Sequence, residues 1–161
     1  MRPKRWMNST GGALLLAAAG IVAAPSAQAD EQAPTVSADL RGPFFAMETN
    51  DSGQQGGVVY FEPVGDEVSI YDQQSDGKYV QLDVWNATHD PNTKEYRLST
   101  KGDDEAHADA SMGQPWNMAE GHCFRFRIRL VSPNGEIVAG SADWANWRNN
   151  DDSRQECPGV G

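Results

Sequence analysis

The sequence predicts an all-β protein: a small antiparallel β-sandwich of immunoglobulin-like architecture with six or seven strands, or alternatively a small β-barrel. Three observations predict it. Several short segments alternate apolar and polar residues with a period of two, turn chemistry separates them at close spacing, and no apolar set recurs at three and four residues as a helix needs. "Immunoglobulin-like" describes the architecture only, because an immunoglobulin domain places both cysteines on core strands.

Residues 1–29 read as an export signal. Arg2, Lys4 and Arg5 form the charged start, residues 13–24 the apolar run, and Ala27-Gln28-Ala29 a small-x-small cleavage site before Asp30. The run is too short to span a membrane as a mature helix. No Cys follows it for lipid attachment, and Lys4-Arg5 is not a paired arginine. The expected location is extracellular, with cell-wall association as a further option. Cleavage leaves 132 of the 161 residues, enough for one modest domain. It removes three basic residues and no acidic ones, taking the formal charge from −10 to −13. That sign argues against nucleic acid and anionic lipid surfaces as partners.

Residues 30–56 are rich in Gly, Pro, Ser, Gln and Asp and read as a flexible acidic lead-in, with one short docking strand at 43–48. The sandwich is expected over 57–150. Val58 to Glu62 is β-rich, and Pro63-Val64-Gly65-Asp66 is a turn. Glu67 to Asp72 places Val68 and Ile70 inward. After a polar loop, Tyr79 to Asn86 places Val80, Leu82 and Val84 on one face. Together these predict a three-stranded antiparallel meander. Tyr96 to Thr100 is a further short strand. Residues 101–121 run polar and acidic, too long for a structureless loop in a compact domain. A helical turn or an edge strand near Ala106–Met112 is expected there, with Trp116-Asn117-Met118 returning to the core.

The strongest pattern is CFRFRIRLVSPNGEIVAGSADW, from Cys123 to Trp144. Phe124, Phe126, Ile128 and Leu130 share one face, and Arg125, Arg127 and Arg129 the other. Ser132-Pro133-Asn134-Gly135 is turn chemistry. With a three-residue loop and a bulge, Leu130 meets Val138, Ile128 meets Gly140, Phe126 meets Ala142, Phe124 meets Trp144 and Arg125 meets Asp143. Two cysteines in an exported chain are expected to pair, and Cys123 and Cys157 have one intramolecular connectivity. The bridge would tie the polar tail, residues 151–161, to the arginine side of the hairpin. There Asp151, Asp152 and Glu156 would neutralise the arginine row.

The run FEPVGDEVSIYDQQSDGKYVQLDVW, with the later MAEGHCFRFRIRLV, resembles small secreted β-proteins of high-GC Gram-positive bacteria. In these a strand, a Gly-containing turn, a strand ending in Asp, an Asp-Gly turn and another strand follow in order, here marked by Phe61, Gly65, Asp72, Asp76, Gly77 and Val80. The resemblance implies fold and export and supplies no active site.

Few residues form a catalytic or metal pattern. His89, His107 and His122 lack zinc-ligand spacing. Asp72 to Gly77 carries carboxylates at the first and fifth positions of a calcium loop, but Gln at the third. Strands flank it, and Asp-Gly is ordinary turn chemistry. No Gly-x-Ser-x-Gly motif and no phosphate loop occur, and carboxylate pairs arise by chance among 23 acids. No cofactor, metal ligand or catalytic residue is therefore assigned. Trp144, Trp147 and Arg148 are the candidate binding residues, since aromatic platforms beside polar groups suit sugar rings and protein hot spots. The competing reading packs Trp144 over Phe124 and closes the sandwich end with Trp147. The functional expectation is a monomeric, secreted, non-catalytic binding or envelope-associated module for a cell-wall glycan or an extracellular protein. The alternatives are a small hydrolase or lyase using 101–121, and a secreted enzyme inhibitor.

Overall fold

A computed structural model describes residues 44–51 and 55–158. The export signal and residues 30–43 of the lead-in lie outside the described residues. Among the described residues eight strands occur: β1 Phe45–Glu48, β2 Gly57–Glu62, β3 Glu67–Asp72, β4 Tyr79–Asn86, β5 Lys94–Ser99, β6 Glu105–Ala108, β7 Cys123–Val131 and β8 Asp143–Arg148. They form two four-stranded antiparallel sheets, ordered β1-β2-β3-β6 and β5-β4-β7-β8, packed as a sandwich. No described helix is long and apolar enough to cross a membrane.

Alternation decides which side chains meet between the sheets. Phe45, Val59, Phe61, Val68 and Ile70 of the first sheet face Val80, Leu82, Val84, Phe126 and Ile128 of the second, all without exposed surface. Aromatic rings fill the centre. Trp147 lies 5.1 Å from Phe45 and 4.7 Å from Phe126, and Phe61 lies 5.1 Å from Phe126.

The predicted three-stranded meander is corrected. β2 and β3 pair, but β4 crosses into the other sheet. The loop between them is long enough to cross and carries its own turn bonds. Asp72 Oδ1 accepts from Gln74 N–H at 3.0 Å, Asp76 Oδ1 accepts from Lys78 N–H at 3.0 Å, and Gly77 takes φ +80°. At the crossing the sheets come together over Gly57, whose missing Cβ leaves room for the Val80 methyls.

The hairpin register is also corrected. Near the turn it is as predicted: Val138 N–H donates to Leu130 O at 3.0 Å, and Val131 bridges Ile137. Beyond Val138 the chain leaves the ladder through Gly140, at φ +79°. Ser141 Oγ takes over, accepting from Leu130 N–H at 3.0 Å and donating to Val138 O at 2.8 Å. Pairing resumes at Asp143, opposite Ile128, where unbroken alternation would put Gly140. The shift is an odd number of residues, so the faces of β8 interchange. Trp147, not Trp144, opposes Phe124; Ala145 opposes Phe126; Asn146, not Asp143, opposes Arg125.

Cys123 and Cys157 form the predicted disulfide, with Cα atoms 5.9 Å apart. The tail does not lie on the arginines. It extends the second sheet beyond β8, with Arg148 N–H donating to Gln155 O at 2.9 Å and Cys157 N–H to Asn146 O at 3.0 Å. Backbone bonds at an open edge outweigh exposed ion pairs, each worth at most about 1 kcal/mol. Arg154 then sits 5.2 Å over the Phe45 ring, capping the seam between β8 and β1.

Segment 101–121 holds both expected features, the edge strand β6 and a 3-10 turn at Ala110–Met112. Asp66 ties its far end to the core. Its Oδ2 accepts from Met118 N–H at 2.8 Å and its Oδ1 from Asn149 Nδ2 at 2.7 Å, all buried.

Candidate binding face

On the outer face of β5-β4-β7-β8, the register places Asp83 between Arg127 of β7 and Arg97 of β5, Gln81 beside Arg129, Trp85 beside Arg125, and Trp144 beside Arg127. Asp83 has no exposed surface and gathers four cations. Arg97 Nε donates to Oδ1 at 2.6 Å and Arg127 Nη2 to Oδ2 at 2.5 Å. Lys94 Nζ lies 3.1 Å from Oδ1 and Arg129 Nη2 3.1 Å from Oδ2. Burial pushes the Asp83 carboxyl up, but the bonds from Arg97, Arg127 and Lys94 outweigh it and hold the group well below the usual carboxylate range. Arg129, packed beneath the others, has its pKa lowered by desolvation, with the neighbouring arginines adding to the effect. Its Nε also donates to Gln81 Oε1 at 3.1 Å.

Two tryptophans lie over the arginines. Trp85 and Trp144 stack at 5.6 Å. Arg125 is centred 5.1 Å from the Trp85 ring and 5.6 Å from Trp144; Arg127 lies 5.1 and 4.9 Å from the same rings. Cations held this close to indole faces gain quadrupole attraction and fix the ring planes. Arg125 Nη2 further donates to Pro91 O at 2.7 Å. Trp144 remains 47% exposed.

Of the sequence candidates, Trp144 lies on this face. Trp147 does not: it is 3% exposed and stacks in the core, a consequence of the register shift. Arg148 is half-buried at the Cys123 end of β8, where its Nη1 donates to Gly121 O at 2.6 Å. Sequence reasoning missed Asp83, Trp85, Lys94 and Arg97 as members of the site. Alternation places Asp83 and Trp85 on the outer side of β4, but only the order of strands reveals that the β7 arginines are their neighbours.

The three histidines are dispersed. His122 Nδ1 contacts Asn86, and His89 lies in an exposed loop. His107 pairs across the β3–β6 ladder with Ser69, its Nδ1 3.2 Å from Ser69 Oγ and its Nε2 2.9 Å from Asp109 Oδ2. Bonds from Ser111 and His107 hold the Asp109 carboxyl low, at about 2. Ser, His and Asp thus form a chain, but Ser69 sits mid-strand between β2 and β6. The two ladders consume the amides of β3, leaving it no N–H to receive an oxyanion. Among the described residues no group of three or more His, Cys, Asp or Glu is placed to hold a metal ion.

No family model, curated protein or solved structure matches the chain.

Proposed function

We propose that the protein is a secreted, envelope-associated binding module that works through the outer face of β5-β4-β7-β8 and recognises an anionic partner. One observation carries the reading. Five cations (Lys94, Arg97, Arg125, Arg127 and Arg129) converge on a face whose buried carboxylate is Asp83 alone, with Trp144 exposed beside them. They are half of the ten Lys and Arg that follow residue 29, in a chain with 23 acids. Stability alone does not favour this arrangement. Like charges at close range repel, and acids to offset them are plentiful elsewhere. A local conflict of this kind is the mark of a site built for a ligand.

Retention on a sulfonate cation-exchange matrix at pH 7 tests the reading. A chain of pI 4.6 is expected to flow through unless one face is cationic. The expected result is retention of wild type, lost in the double variant Lys94→Ala/Arg97→Ala and kept in Lys101→Ala. Flow-through of wild type, or equal loss in the control, would remove the binding face.

A second reading, hydrolysis by segment 101–121, is favoured by the Ser69–His107–Asp109 chain. Activated-ester hydrolysis abolished by Ser69→Ala and untouched by Lys94→Ala/Arg97→Ala would put it in place of the first. The spent amides of β3 weigh against it.

A further inference from the structure

Given that binding face, we infer that its ligand is an acidic polysaccharide: a chain of pyranose rings bearing carboxylates, laid across the cationic face with its acids toward Lys94 and Arg97 and a ring against Trp144. Three features support this class.

The first is unspent donors. A guanidinium carries five N–H groups. Arg125 donates one hydrogen bond, to Pro91 O, and Arg127 one, to Asp83. Their Nε atoms are buried, so the donors these two can offer a ligand are the remaining Nη N–H groups. Asp83 already displays the anion that this array accepts, since Arg97 and Arg127 reach its two oxygens separately. Each contact is a single charge-assisted hydrogen bond, so the array holds a carboxylate by sharing it between neighbouring guanidiniums.

The second is the ring. Trp144 is held within the protein itself, by Trp85 and by two guanidiniums. A flat apolar platform beside charged donors fits a pyranose, which offers an apolar face and a polar rim, and pre-ordering lowers the entropic cost of contact.

The third is layout. The cations most open to solvent are Lys94 and Arg97 of β5, Arg125 and Arg127 of β7 are partly exposed, and Arg129 is buried behind them. Arg97 and Lys94 extend the positive field across β4 to β5. A row of charges suits a polymer with repeating anions, which engages several weak contacts at once.

The rival occupant is a second copy. The other sheet's outer face bears Glu48, Glu67 and Glu105, with Glu62 nearly buried among them. A docked copy, however, brings its whole acidic body, at formal charge −13 without the export signal, against an equal charge. A narrow polymer chain presents its charge only to the strip, and acids beyond about 8 Å are screened at physiological salt.

The test uses the full secreted chain, with binding measured by calorimetry against polygalacturonate, the same polymer methyl-esterified, dextran sulfate and polyphosphate. Sedimentation velocity is run alongside, and thermal melts check that each variant is folded. Polygalacturonate is expected to bind and the esterified polymer to bind far more weakly. Trp144→Ala and Arg97→Ala should each lower polygalacturonate affinity by roughly tenfold or more. Binding of dextran sulfate or polyphosphate without polygalacturonate, still weakened by Arg97→Ala, overturns the carboxylated ligand and leaves the binding face standing. Polygalacturonate binding unchanged in both variants overturns the face itself. Self-association lost in Arg97→Ala, with no polymer bound, replaces the polysaccharide with a second copy.

Discussion

Asp83 and Arg127 oppose each other across the β4–β7 ladder, and Arg127 Nη2 donates to Asp83 Oδ2 at 2.5 Å. The pair sits at the centre of the outer face, so its carboxylate holds together strands β5, β4 and β7. Asp83→Asn keeps the shape and leaves four cations without their counter-charge, at an expected cost of about 3 kcal/mol. The pH dependence follows from the sign of the shift. The folded pKa of Asp83 is depressed. Its contribution is therefore present above the unfolded value, about 4, and is lost as pH falls toward the folded one. Denaturant titrations from pH 7 to pH 2 should show a shallower acid loss in Asp83→Asn than in wild type. Parallel curves would mean that the carboxylate is not the acid-sensitive group.

The two tryptophans of β8 should separate in stability. Trp147→Ala removes a ring packed against Phe45 and Phe126 and should cost about 3–5 kcal/mol. Trp144→Ala removes an exposed ring and should cost under about 1 kcal/mol. Chemical denaturation compares them directly. The reverse order would restore unbroken alternation from the turn.

Reduction of Cys123–Cys157 opens a loop with a sequence separation of 34, worth about 3–4 kcal/mol on the chain-entropy account. The tail's other ties are backbone bonds to β8 and the Arg154 contact on the Phe45 ring, neither of them an ion pair. The melting temperature should fall markedly with reductant, while high salt on the oxidised protein changes it little. A large salt effect without reductant would return the tail to the arginine row.

Gly57→Ala is expected to destabilise by about 1–3 kcal/mol, because the new methyl would overlap the Val80 methyls where the sheets converge. Adding Val80→Ala should cost less in this background than in wild type, since the same overlap is relieved. Strict additivity in a double-mutant cycle would show that the two do not meet.

Most of the fold was legible because alternation is local. Val68 with Ile70, Val80 with Leu82 and Val84, and Phe126 with Ile128 all face the core as their spacing predicts. The turn at Ser132–Gly135 was legible for the same reason: Pro, Asn and Gly report their own backbone preferences. β4's change of sheet was not, because a polar loop such as Gln73–Lys78 fits a hairpin and a crossing equally well. The Ser141 excursion was not legible either, since a serine hydroxyl standing in for a ladder bond leaves no periodic trace. The candidate face lies between these cases. Its arginine row stood out at once, but the buried acid that organises it is some forty residues away in sequence and adjacent only once β4 and β7 pair.

The Val138–Ser141 excursion makes the length of one short loop a matter of parity. Loop indels are ordinarily among the mildest changes in a β-protein, since closure entropy grows slowly with length. Here an indel of one or three residues that is passed on to the register would turn β8 over, exchanging a core indole for a surface one and removing Trp144 from the arginines, whereas an indel of two would keep each indole on its present face. Descendants of this chain that kept the cationic face would therefore be expected to vary this loop in even steps, and an odd step would mark a lineage that had given the face up.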